Sequence, residues 1–374
     1  MRNVLAGKRV VLVHDWLTGM RGGEKVLESL CRLLPDADLL TLVHDAGSVS
    51  ATIQSRRIRT SWIQRLPLPT RLYRHYLPLF PIAIEQFDLD DVDVVISTSH
   101  CAAKAVVPTG RAVHICYSHS PMRYAWDQFD AYFGVQRLGR WGQAAARHVL
   151  APIARWDRDT APRVDRFLAN SAYVAGRIAR YYNRQATVLH PPVDTGFFTP
   201  GADGPGRYFL VVSALVPYKR IDTAIRAAAL LGAPLKIIGT GPDAERLHAL
   251  AGPDVEFLGH VDDLTLRTLY RGARAVLLPG AEDFGISPVE AQACGRPVVA
   301  LGEGGALETI EHGVSGLLVN DGSPAAFADA MNRVDSLPLT PADWQARSAA
   351  YGIDQFERGF TARVAETMAG GGRW

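Results

Sequence analysis

The sequence predicts an α/β protein built from two doubly wound domains, and three observations predict it. The chain has 374 residues, enough for two domains of roughly 100–200 residues each. Short apolar runs alternate with amphipathic segments, the pattern of parallel sheets covered by helices on both faces. A stretch rich in proline and glycine, between about residues 184 and 206, divides that alternation in two. The expected domains are residues 1–185 and 186–352. A final amphipathic helix over 353–368 is expected to pack back on the first.

The elements follow in order. Val10–Val13, Leu39–Val43, Val92–Ser97, His114–Cys116 and Arg166–Ala169 read as strands, with a helix over Glu24–Leu34 between the first two. After the linker, strands are expected at Tyr208–Ser213, Leu235–Ile238, Val255–Leu258, Ala275–Leu278, Val298–Leu301 and Gly316–Val319. Helices Ile221–Leu231, Ala244–Ala251, Leu264–Arg271, Pro288–Cys294 and Ala325–Val334 lie between them.

Composition narrows the class. Apolar residues make up 48% and charged residues 21%, which excludes a disordered chain. The four cysteines, Cys31, Cys101, Cys116 and Cys294, show no metal-ligand spacing. Reduced thiols and a cytoplasmic location are expected. The first residues run straight into a strand, so no signal peptide is expected, and no apolar run reaches the ~20 residues of a membrane span. Several Asp-x-Asp strings occur, but Asp88–Asp93 reads as a polar loop and Asp157–Asp159 as a helix face, so no metal site is expected.

One stretch carries specific chemistry, Glu282-Asp-Phe-Gly-Ile-Ser-Pro-Val-Glu290. It follows a strand, and Pro288 suits the first turn of a helix. Backbone N–H groups at a helix start favour a phosphate. Gly285 removes a side chain where a ligand must approach the backbone. Glu282 and Glu290 flank the turn, so each carboxylate could hold hydroxyls on one side of a diphosphate. A sugar nucleotide has that layout.

Two glutamates with seven residues between them, in AEDFGISPVEAQACGRPVVA, resemble the signature of the retaining glycosyltransferase family 4. The loop Gly302–Glu308 is similar to that family too. So are Val212–Arg220, with Lys219, and the N-terminal segment His14–Lys25, with Gly22 and Gly23. The subgroup it most resembles is the WbaZ-like O-antigen mannosyltransferases. The resemblance implies the GT-B fold, two Rossmann-like domains facing each other across a cleft whose closure would bring Gly22, Gly23 and His119 towards Lys219 and Glu282. It implies that Glu282 binds the transferred sugar, that Glu290 binds the ribose and that Lys219 neutralises the leaving diphosphate. The backbone of Phe284, Gly285 and Ile286 would line sugar and phosphates. Gly22 and Gly23 would approach the diphosphate, His119 would face the sugar near the reacting centre, and His260 and Val261 would hold the base. It also implies retention of configuration without metal or cofactor, the nucleotide sugar being a substrate. One departure stands out: the family's arginine five residues before the lysine is Ala214 here, and Arg220 is the residue that could stand in for it.

Charge is distributed unevenly. Residues 1–185 hold 25 Lys+Arg against 16 Asp+Glu, and the remainder 15 against 22. No acid occurs between Asp45 and Glu85, a stretch with Arg56, Arg57, Arg59, Arg65, Arg71 and Arg74 interleaved with Trp62, Tyr73, Tyr76 and Phe80. Arg137, Arg140, Trp141, Arg147, Arg155, Trp156 and Arg158 form a second such region. Nucleic acid and anionic lipid both fit; the sugar-nucleotide motif favours lipid, on the inner face of the cytoplasmic membrane, and no nucleic acid.

The reading these features support is transfer of a hexose, mannose from GDP-mannose, to a lipid-linked or polysaccharide acceptor. A UDP-sugar donor, a nucleotide-sugar epimerase and a non-catalytic partner of polysaccharide assembly are the alternatives.

Overall fold

The computed structural model describes the chain except Arg2, Asn3, Arg111, Asp203, Leu339 and residues 371–374; the side chains of Ala131 and of 135–138 are also outside the described set. The chain forms two compact units, Met1–Pro192 with Phe356 onwards, and Val193–Gln355.

The first unit is built on a seven-stranded parallel sheet. Its strands are β1 (Val10–His14), β2 (Asp38–Thr41), β3 (Ile58–Thr60), β4 (Val94–Ser99), β5 (Val113–Ser118), β6 (Arg166–Ala169) and β7 (Ala186–Val188). They lie in the order β3-β2-β1-β4-β5-β6-β7. All residues of β4 and β5 are buried, as strands covered on both faces must be. Leu12 pairs with Leu39 on one side and Ile96 on the other. The helix Gly22–Leu33 buries Val26, Leu27, Leu30 and Cys31 against this sheet's core. From Phe356 onwards the helix Ile353–Ala369 belongs to this unit, where Phe356, Phe360 and Val364 form a four-residue-spaced stripe no more than 2% exposed. Truncating Phe360 to alanine would cost about 3–5 kcal/mol.

The second unit has a six-stranded parallel sheet: β8 (Phe209–Val212), β9 (Leu235–Ile238), β10 (Val255–Gly259), β11 (Ala275–Leu278), β12 (Val298–Leu301) and β13 (Gly316–Val319). The order is β10-β9-β8-β11-β12-β13. The helices Ile221–Leu231 and Pro324–Arg333 share one core with Phe209, Val211 and Leu277. The helix Ile286–Ala293 contributes Ala291 and Ala293 to another, with Leu210 and Val276. Gly232, at φ 58°, ends the first of these helices.

Several sequence expectations are corrected. The first unit extends to Pro192 rather than 185, because β7 pairs in parallel with β6 and the Leu189 N–H donates to Ala169. The glycine-rich stretch after Thr199 is pinned: the Arg271 guanidinium donates to the Thr199 carbonyl and hydroxyl at 2.6 and 2.7 Å. β3 and β7 went unread because three-residue edge strands with half-covered faces carry no apolar run. The long helix Val135–Asp159, broken at Gly139 (φ 68°), and the helix Ala172–Tyr182 were also unread. Asp157 and Asp159 lie in the long helix, as expected, but Asp157 faces inward: it is fully buried and takes Lys104, Trp126 Nε1 and the Tyr182 hydroxyl. Among the described residues, no helix is long and apolar enough to cross a membrane.

Candidate active site

In a doubly wound sheet, ligands bind beyond the carboxyl ends of the strands, where the strand order reverses. In the second unit that point lies between β8 and β11. The loop after β8 carries Lys219, and the loop after β11 carries Glu282. Their side chains form an ion pair, with 11% and 15% of their surface left exposed.

Glycines let these loops touch. A Cβ on Gly280 would lie 2.6 Å from the Tyr218 carbonyl oxygen and 2.7 Å from Lys219 Cα. A Cβ on Gly304 would run into the Glu282 carbonyl, and one on Gly305 into the Phe284 backbone. The Gly305 N–H donates to the Glu282 carbonyl at 2.8 Å. Gly285, at φ 87°, opens the helix Ile286–Ala293, and no side chain caps that end. The Phe284 side chain is buried against Val193, Val289 and Tyr351, so its ring anchors the turn while its backbone forms the loop. Glu290 is buried one turn further on and accepts from the Tyr270 hydroxyl at 2.8 Å. Burial, then the Glu290 charge, holds the Tyr270 proton on well above the usual range.

The first unit reverses its strand order between β1 and β4, and polar side chains converge there. Gly22 and Gly23 open the helix after β1. A Cβ on Gly23 would meet His119 Nε2 at 3.4 Å and His14 Cε1 at 3.6 Å. His119 follows β5; its N–H donates to the Ser99 carbonyl and its own carbonyl accepts from Asn170. Burial, with His100 and His14 nearby, pulls its pKa down to about 3. At neutral pH it is an uncharged ring with one donor and one acceptor nitrogen.

Sequence reasoning named Gly22, Gly23 and His119 here but missed four partners. Asp15 is fully buried and accepts four backbone N–H groups, from His100 to Ala103, at 2.6–3.0 Å. It also pairs with His100 Nδ1 at 3.0 Å. Burial opposes its charge, but His100 and His14 outweigh burial and hold the carboxyl well below the usual range. Glu24 is buried, accepts from the Arg21 N–H at 3.0 Å and lies 3.8 Å from His14 Nε2. Against burial, His14 lowers its pKa. The other His14 nitrogen meets the Thr98 hydroxyl at 2.6 Å. The available signal was positional: His14-Asp15 and Ser99-His100 end the two strands at which the order reverses.

Residues 20–197 match the family model described as Glycosyltransferase Family 4, and residues 194–350 match that described as Glycosyl transferases group 1. Each match spans less than half of the chain and falls largely on one of the two units. D-inositol 3-phosphate glycosyltransferases are similar to it: that of Mycolicibacterium gilvum is 33% identical over 203 residues, covering 48% of this chain and 46% of the relative. That of Mycolicibacterium smegmatis is 32% identical over 223 residues, covering 52% and 50%. The chain thus spans about half the length of the curated relatives it matches. Among solved structures, HepE of Anabaena in complex with UDP has a TM-score of 0.72 at 17% identity, covering 96% of this chain and all of that one. Sucrose-phosphate synthase from Thermosynechococcus elongatus has a TM-score of 0.73 at 18% identity, covering 97% and 100%. The fold is therefore GT-B.

Four further positions singled out in the sequence lie in the second unit of this GT-B chain. Ala214 is exposed just beyond β8. Arg220, at φ 52°, donates from its guanidinium to the Gly322 carbonyl at 2.6 Å, at the loop before the helix Pro324–Arg333. His260 is exposed and Val261 half-buried, after the edge strand β10 rather than beside Lys219.

Proposed function

We propose that this protein is a retaining glycosyltransferase that moves a hexose from a nucleotide sugar to a lipid-linked or polysaccharide acceptor at the cytoplasmic face of a membrane. The observation that carries the reading is the Lys219–Glu282 pair where the second sheet reverses, beside an uncapped helix start. On donor binding, Lys219 exchanges the Glu282 carboxylate for the diphosphate, and Glu282 turns to the sugar hydroxyls. Lys219 and the helix N-terminus then stabilise the charge that develops on the leaving diphosphate. Their joint positive potential supports departure without a metal. The acceptor attacks from the face that the leaving group vacates, which retains configuration. Glu290 takes the ribose, with His260 and Val261 near the base. Neutral His119 contacts the sugar, across from Gly22 and Gly23.

GDP-mannose is the donor that the WbaZ-like motifs support. A UDP-sugar is the second reading, favoured by the solved complexes of HepE with UDP and with UDP-glucose. A thermal-shift panel of GDP-, UDP- and ADP-sugars without metal separates them. Ligand at 100 times its Kd stabilises by about 2.7 kcal/mol. One nucleotide class should stabilise wild type but not Lys219→Ala. Stabilisation by none would sink the reading. Turnover of the donor to an epimer in the absence of acceptor would replace transfer with epimerisation.

A further inference from the structure

The surface of the first unit holds a feature that sugar transfer leaves unused. Leu68 stands between Pro67 and Pro69 at φ 45° and is 58% exposed. Side chains other than glycine and asparagine rarely adopt that conformation, and an aliphatic one gains nothing from it in water. Four of the ten exposed large apolar side chains among the described residues lie in the two basic regions: Leu68, Ile82, Trp141 and Val149. Trp141 is 90% exposed. On the helix Val135–Asp159, Trp141, His148 and Arg155 recur every seven residues and are all exposed, so they form one stripe. The opposite side of that helix, through Leu150 and Ile153, packs with Tyr73 and Phe80 of the acid-free segment. The two basic regions are therefore neighbours in one unit.

Their charges are available. Arg147 and Arg158 pair with Asp130 and Asp159. Exposed Arg65, Arg71, Arg140 and Arg155 have no carboxylate partner among the described residues. No acid lies between Asp45 and Glu85 to offset them.

We propose that the first unit docks on an anionic lipid bilayer, with Leu68 and Trp141 entering the headgroup layer and Arg65, Arg71, Arg140 and Arg155 pairing with lipid phosphates. Arginines with a tryptophan suit either a nucleic acid or a membrane interface. Leu68 and Ile82 decide for lipid, because a nucleic acid would leave these aliphatic groups in water. The proposal rests on the membrane location in the proposed function and names the surface that provides it; vesicle binding requires no donor, so its failure is distinguishable from failure of the transfer reading.

Co-sedimentation of the full chain tests it, with vesicles of phosphatidylcholine alone and of equal parts phosphatidylcholine and phosphatidylglycerol. The wild type should pellet with the second and not the first. Arg65→Ala and Arg155→Ala should each weaken partitioning about fivefold. Leu68→Gly should relieve the backbone, raise the melting temperature and still bind vesicles less, an outcome that a misfolded variant cannot give. Trp141→Ser should bind less at unchanged melting temperature. The proposal is overturned if the wild type ignores the anionic vesicles, or if Leu68→Gly and Trp141→Ser bind them as well as wild type. It is also overturned if single-stranded RNA of equal charge is held more tightly than the vesicles and these two substitutions leave that binding unchanged.

Discussion

The two units reverse their strand order at equivalent places and fill those places with opposite chemistry. In the first, ionic and polar side chains hold one another: Asp15 with His100 and four N–H groups, and His14 between Glu24 and Thr98. All but His100 and His119 are buried. In the second, the loops are held backbone to backbone through Gly280, Gly304 and Gly305, and the charges are left in a partly exposed pair. The difference shows two ways to prepare a site. Buried, paired charges fix geometry at the cost of desolvation. Glycine contacts fix geometry without engaging polar side chains, and Lys219 and Glu282 keep part of their surface exposed.

The largest effect should come from Asp15→Asn. It leaves four converging N–H groups with half an acceptor and His100 without its partner, at a cost of about 3–5 kcal/mol. Chemical denaturation followed by hydrogen exchange should assign that loss to peptides of the first unit. A loss shared equally with the second unit would break the comparison. Next is Gly305→Ala, whose Cβ must push into the Phe284 backbone. About 3 kcal/mol is expected from overpacking, assigned by the same exchange to the second unit.

Acid should also separate the units. His119 titrates at about 3 and His114 at about 4 in the folded state, both lowered chiefly by burial. Unfolded histidine titrates near ~6.5. The unfolded chain therefore binds more protons, so stability falls as pH drops below ~6.5 and levels off near the folded values. Asp15 acts in the same sense lower down: its contribution is present above the ordinary carboxyl range and is lost as pH falls through its depressed value. The second unit's histidines, His248, His260 and His312, are all exposed. Exchange protection should fade first in the first unit between about pH 6.5 and 4. Simultaneous fading would contradict the assignment.

The sequence made the second unit more legible than the first. Its strands alternate cleanly with helices, and each site residue lies in one continuous stretch or a few positions from a strand end. The pair of Lys219 with Glu282 follows from the strand order, which places β8 beside β11 and which alternation alone does not give. Asp15 and His100 stand 85 residues apart in the chain, and nothing local to either announces the other. Arg220 is a different case: adjacency to Lys219 suggests a shared task, while its guanidinium reaches the Gly322 carbonyl.

Arg220→Ala is accordingly the smallest expected effect. Losing one charged hydrogen bond should destabilise by about 1.5 kcal/mol and leave the nucleotide-induced rise in melting temperature intact. If that rise disappears, Arg220 serves the diphosphate and the Ala214 departure is compensated after all.

The central claim is that the Lys219–Glu282 pair is exchanged for a donor. Calorimetric titration of nucleoside diphosphate and of the matching nucleotide sugar into wild type, Lys219→Ala and Glu282→Gln tests it most directly. The account predicts that Lys219→Ala loses both ligands. Glu282→Gln should hold the bare diphosphate at least as tightly as wild type, because Lys219 is released, and should lose the preference for the sugar-bearing form. Equal affinities across all three proteins, or a Glu282→Gln variant that loses the diphosphate as completely as Lys219→Ala, would contradict it.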